Sequence, residues 1–159
     1  MSEYCVVVAE GAHARVFTLE PADIPQLQSG PNLVERYQLR DNDLDERSSE
    51  YRRGRNRPAY GPGHTYDESG RTREATRKFA RRVAREVEKM VRANGFQHLV
   101  LCADKRTLGM LRPSLTEAVG EDIRYHEVPK ALARLSGIEL HQHLAREGHL
   151  PRRRRRHAA

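Results

Sequence analysis

Histidine and arginine set among glycines are the residues of this chain whose types and spacing best suit chemistry. Gly61-Pro62-Gly63-His64 places an imidazole, the side chain that titrates nearest neutral pH, in permissive backbone, where it could serve as acid, base or RNA contact. Just upstream, Arg52, Arg53, Arg55 and Arg57 alternate with Tyr51 and Tyr60, and Tyr66 follows. Guanidinium groups suit phosphates and ring faces suit unstacked bases, so this interleaving fits nucleic-acid contact. A solvated linker of the same composition is the competing reading. Lys105 and Arg106 make a third candidate, since they follow a strand end and open a helix, where free backbone N–H groups also favour anions.

Carboxylates and metal ligands point elsewhere. Glu10 and Asp104 follow the ends of two strands expected to be neighbours, but metal-dependent phosphodiester cleavage needs several acids converging on one or two cations. Glu74 and Glu139 fall on other elements. His141 and His143 are two apart, which on a helix turns them about 200° from one another, so they cannot share a metal. The spacing of Cys5, Cys102 and the histidines does not match a zinc site, and both cysteines sit in apolar runs as small buried hydrophobes. No cofactor and no metal is expected, and the chain reads as a binding protein more readily than as an enzyme.

The charge is concentrated in the same places. Residues 47–92 hold fourteen Lys and Arg against six Asp and Glu, whereas residues 1–46 hold three against nine. Residues 93–147 balance at seven each, and Arg152, Arg153, Arg154, Arg155 and Arg156 supply the excess of the last stretch, for +7 in all. A basic segment, a basic helix face and a basic tail together suggest a polyanionic partner. At 159 residues the chain fits one domain, placed at 1–147, with a long basic loop at 40–71 and a disordered Arg-rich tail at 148–159. The apolar runs fall well short of a membrane span, and Met1-Ser2-Glu3 lacks the basic opening of a signal peptide, so a cytoplasmic location is expected.

These residues must be positioned by a mixed sheet. Tyr4 to Ala9 and Ala14 to Leu19 read as a hairpin of buried strands around Gly11, and Leu33 to Leu39 alternates as a third, half-exposed strand. From Thr72 to Ala93 the period turns helical. Phe79, Val83, Val87 and Met90 form one face, with Arg77, Lys78, Arg81, Arg82, Arg85, Lys89 and Arg92 opposite; Arg71 and Arg73 extend the basic series upstream. Phe96 to Ala103 reads as a buried strand and Lys105 to Val119 as a helix interrupted or restarted at Pro113. Asp122 to Val128 reads as an edge strand, and Ser136 caps a last helix that stops at Gly148.

Four stretches carry a resemblance: Ala9 to Phe17 (AEGAHARVF), the Arg/Gly-containing loop, Phe79-Ala80, and Leu99 to Ala103 followed by Leu108-Gly109-Met110-Leu111-Arg112. Over roughly residues 3–146 the chain resembles the bacterial host attachment protein family. That family looks like a relative of the middle domain of archaeal and eukaryotic class I release factors. The resemblance implies an RNase H-like α/β fold, with a five-stranded sheet ordered 3-2-1-4-5 and the second strand antiparallel. In release factors the corresponding loop carries a Gly-Gly-Gln that enters the peptidyl transferase centre; here it reads Gly61-Pro62-Gly63-His64, with no Gly-Gly-Gln in the chain. RNA or ribosome binding through the loop, the basic helix and the tail is therefore the expected activity. An interaction protein in adhesion or biofilm formation is the alternative, and a peptidyl-tRNA hydrolase acting through Gly61, Gly63 and His64 is the third reading.

Overall fold

The computed structural model describes residues 3–41 and 62–155, the side chains of 62–72 excepted. Among the described residues the chain runs β1 (Tyr4–Glu10), β2 (His13–Glu20), β3 (Asn32–Arg40), α1 (Pro62–Asn94), β4 (His98–Cys102), α2 (Lys105–Val119), β5 (Arg124–Val128) and α3 (Gly137–Arg146). The strands form a five-stranded mixed sheet in the order β3-β2-β1-β4-β5. β2 is antiparallel to both β1 and β3, whereas β1, β4 and β5 are mutually parallel. Gly11 turns the β1–β2 hairpin at φ +54°, a left-handed conformation open to glycine at little cost.

The central strands are apolar on both sides because both sheet faces are covered. Alternate residues of β1 go to different layers. Cys5, Val7 and Ala9 join Leu99 and Leu101 beneath Phe79, Val83 and Val87 of α1 and Leu108, Leu111 and Leu115 of α2. Val6 and Val8 join Val100 and Cys102 beneath Leu140 and Leu144 of α3, together with Leu150. Burial holds both thiols protonated, raising Cys5 and Cys102 to about 12.

Three expectations are corrected here. Helix α1 begins at Pro62 rather than Thr72, so Gly63, His64 and Arg71 belong to a helix and not to a glycine loop. Proline at the first helical position loses only an N–H that would have had no partner, and its fixed φ is already helical. Gly63 and Gly70, each costing about 1 kcal/mol against alanine in a helix, hide the start from a propensity reading. Helix α2 is continuous through Pro113. Pro113 and Gly109, the residue four before it, are both exposed, so the unmade bond lies on the solvent side, and the Thr116 hydroxyl donates to the Arg112 carbonyl at 2.7 Å.

The third correction concerns the end of the chain. A disordered arm was expected from residue 148, yet residues 148–155 form a strap beside α3. Gly148, at φ +83°, donates to the Ala145 carbonyl, and His149 donates to Leu144. This pair of bonds is a Schellman closure that reverses the chain. Leu150 is then buried at 5% exposure. The His141 ring Nε2 lies 2.8 Å from the Pro151 carbonyl, and Arg153 Nε donates to Asn32 Oδ1 at 2.7 Å. Gly30 and Arg154 exchange two backbone hydrogen bonds. An apolar anchor and satisfied backbone outweigh the repulsion within the arginine run.

Candidate nucleic-acid interface

The basic stripe of α1 is fixed by helical periodicity. With the apolar side held on the sheet, residues about half a turn away must face solvent. Arg73, Arg77, Lys78, Arg81, Arg82, Arg85, Lys89 and Arg92 are all exposed. Three of them have partners: Arg82 donates to the Arg40 carbonyl at 3.0 Å, Lys89 pairs with Glu86, and Arg92 pairs with Glu88. Arg73, Arg77, Lys78, Arg81 and Arg85 make no ion pair or hydrogen bond through their side chains among the described residues.

Four cations outside α1 are paired with acids among the described residues. Arg15 pairs with Glu35, Arg36 with Glu20, Arg112 with Glu127 and Lys130 with Glu147. Arg15 is a structural pin. Its guanidinium grips both oxygens of Glu35 at 2.9 and 3.2 Å, donates to the Ala133 and Leu135 carbonyls at 3.0 and 2.7 Å, and lies over the Phe17 ring. That contact holds the Glu35 carboxyl below its ordinary range. Arg112 likewise forks onto Glu127 at 2.7 and 2.8 Å, tying α2 to β5 and lowering the Glu127 pKa.

Helices α1 and α2 lie side by side over one face of the sheet. A shallow groove between them is lined by Arg81, Ala84, Arg85 and Glu88 on one side and by Ser114, Glu117 and Ala118 on the other. Each helix joins two parallel strands, β3 to β4 and β4 to β5, over the same sheet face, so the two run in the same direction. At the start of α2, Lys105, Arg106 and Gly109 are exposed. The α2 N-cap, Asp104, makes no side-chain bond to the helix backbone; its carboxylate accepts from the Thr107 hydroxyl instead. The groove itself sets the cations Arg81 and Arg85 beside the acids Glu88 and Glu117.

The other sequence candidates lie elsewhere. Arg52, Arg53, Arg55, Arg57, Gly61 and Arg156 are outside the described residues. For Gly63, His64 and Arg71 the helical backbone alone is described. Arg152, Arg154 and Arg155 are exposed on the strap, against the face opposite α1, and Arg153 is half-buried on Asn32. The tail therefore does not share a face with the α1 stripe.

A row of rings on the α3 side lies outside the sequence candidates. Tyr4 and His98, register partners on β1 and β4, stack at 4.4 Å; His98 stacks on His126 of β5 at 5.8 Å, and His126 meets His149 edge-on at 6.4 Å. The alternation of β4 and β5 could have placed His98 and His126 on one face; His149 arrives only through the strap. Burial first, then His98, His149 and Arg124, lower the pKa of His126. Among the described residues no three His, Cys, Asp or Glu side chains are grouped to hold a metal, Glu10 and Asp104 included, and no helix is long and apolar enough to cross a membrane.

No curated protein matches the chain. A family model does match it, over residues 5–144, which spans the whole sheet and all but the end of α3. The chain belongs to the family described as "protein required for attachment to host cells".

Proposed function

We propose that this member of the host attachment family binds RNA, on the ribosome or within another structured RNA, and that the basic stripe of α1 is its principal contact. One observation carries the reading: Arg77, Lys78, Arg81 and Arg85 project from one helix, exposed and without ion-pair or hydrogen-bond partners among the described residues. Unpaired cations repeated along a helix face suit the phosphates of a nucleic-acid backbone, and they give affinity without sequence readout. The order 3-2-1-4-5 with β2 reversed is compatible with a release-factor middle-domain or RNase H-like origin, and that kinship favours the ribosome. Arg52, Arg53, Arg55 and Arg57 would extend the contact from the segment leading into α1, and a cytoplasmic location follows from the same reading.

Sedimentation with ribosomes through a sucrose gradient tests it. Salt-sensitive co-migration is expected for the intact protein, with loss in Arg77→Ala/Arg81→Ala/Arg85→Ala and weakening in a variant carrying Ala at 52, 53, 55 and 57. A protein that stays at the top of the gradient at low salt and carries no nucleic acid through purification overturns the proposal. The family description favours a second reading, in which the same surface meets an acidic protein or polysaccharide during attachment. Recovery at the cell surface in fractionation would favour that reading over the first. Hydrolysis through Gly63 and His64 has less support, because both lie in the first turn of a helix.

A further inference from the structure

We infer that the chain carries a second, separate RNA contact on the strap and so bridges two RNA segments; this rests on the RNA reading above and extends it. The strap is a built element. Leu150 is buried beside Leu140 and Leu144, Arg153 is tied to Asn32, and Arg154 pairs through its backbone with Gly30. These anchors hold the backbone and leave the Arg152, Arg154 and Arg155 side chains exposed. None of these three side chains has an ion-pair or hydrogen-bond partner among the described residues. Ordering the chain beforehand removes part of the entropy that a free arginine arm would lose on binding.

Position decides that this contact is separate. The stripe rides on α1, which packs on the sheet face built from Cys5, Val7 and Ala9. The strap packs with α3 on the face built from Val6 and Val8. The two also anchor at different ends of one strand: Arg82 reaches the carbonyl of Arg40 at the last residue of β3, and Arg153 reaches Asn32 at the first. Eight residue steps separate those ends, roughly 26 Å at the rise of a strand. With the sheet between them, one short strand of RNA cannot run along both cation sets, whereas two segments can each meet one. At physiological salt, charges this far apart act independently, since the screening length is about 8 Å.

Stoichiometry tests this directly. Native mass spectrometry of the full chain with an excess of a short, unstructured RNA oligonucleotide carrying 4-thiouridine should give two oligonucleotides per chain, with photo-crosslinks mapping to both α1 and the strap. Arg152→Ala/Arg154→Ala/Arg155→Ala should retain one, crosslinked to α1 alone. Arg77→Ala/Arg81→Ala/Arg85→Ala should lose the α1 crosslinks while those on the strap persist. A single oligonucleotide bound to the intact chain, or loss of both crosslink sets in either variant, overturns the second contact and leaves RNA binding standing. If neither surface takes any oligonucleotide and no ribosome co-migration is seen, the RNA reading itself fails, and the bridging with it.

Discussion

Arginine does two different jobs in this chain, and which job depends on what lies within reach. Arg15 and Arg112 both fall in the stretches that carry the family resemblance, and both are spent on structure, as forks on Glu35 and Glu127. Arg15 also satisfies two carbonyls in the turn before α3. With its side chain 13% exposed, Arg15→Ala should destabilise the fold by about 2 kcal/mol, and Arg15→Lys should recover only part, because an ammonium cannot reproduce the fork. Urea midpoints of the three proteins measure this. The row of rings adds a pH dependence. His126 is held below its ordinary 6.5 by burial, by His98 and His149, and by Arg124. A histidine depressed in the folded state binds its proton more readily when unfolded. Its contribution to stability is therefore full above about 6.5 and is lost as pH falls through that value toward the folded one. Glu147, bonded to Lys130 and beside His143 and His149, has a lowered pKa, as do Glu35 and Glu127; their contributions are lost only below about 4.5. Thermal midpoints between neutral pH and about pH 5 should fall in the intact chain and fall less in His126→Asn.

At the scale of elements, what the sequence made legible was what obeys a local period. The buried apolar runs of β1 and β2, the alternation of β3, the 105–119 limits of α2, and Ser136 as the cap of α3 are all visible in residue spacing. The Ser136 hydroxyl accepts from the Glu139 N–H, and the Glu139 carboxylate accepts in return from the Ser136 N–H. The first turns of α1 were not legible, because Gly63 and Gly70 lower its propensity and tertiary context overrides them. The strap was not legible either, since its stability comes from Leu150, Pro151 and Gly30, residues apart in sequence whose contact no periodicity encodes. Gly30 matters by its lack of a side chain: a Cβ there would stand 2.8 Å from the Ala22 Cβ. Leu150→Ala should cost roughly 2 to 4 kcal/mol and raise proteolysis after the arginines of the strap, whereas Ser136→Ala should cost about 1 kcal/mol and leave strap cleavage unchanged. Limited proteolysis alongside the denaturation midpoints separates the two.

At the scale of the whole molecule, the charge separation read along the sequence becomes a separation in space. The acidic excess of residues 1–46 is partly consumed inside the β2–β3 half of the sheet, where Glu20 and Glu35 hold Arg36 and Arg15. The cations of α1 lie outside that network, on a helix that the apolar core fixes in orientation. Of the candidate site, the α1 stripe was legible because one amphipathic period encodes both its buried and its exposed side. Its separation from the strap arginines was not, because it depends on which face of the sheet each segment returns to. The most direct test is a salt titration of RNA affinity by fluorescence anisotropy, comparing the intact protein with Arg77→Ala/Arg81→Ala/Arg85→Ala. For single strands each phosphate contact contributes about 0.7 to the slope of log affinity against log salt, so removing three should flatten the slope by about 2 and weaken binding most at low salt. An unchanged slope and affinity in the triple variant would contradict the assignment of the stripe as the RNA contact.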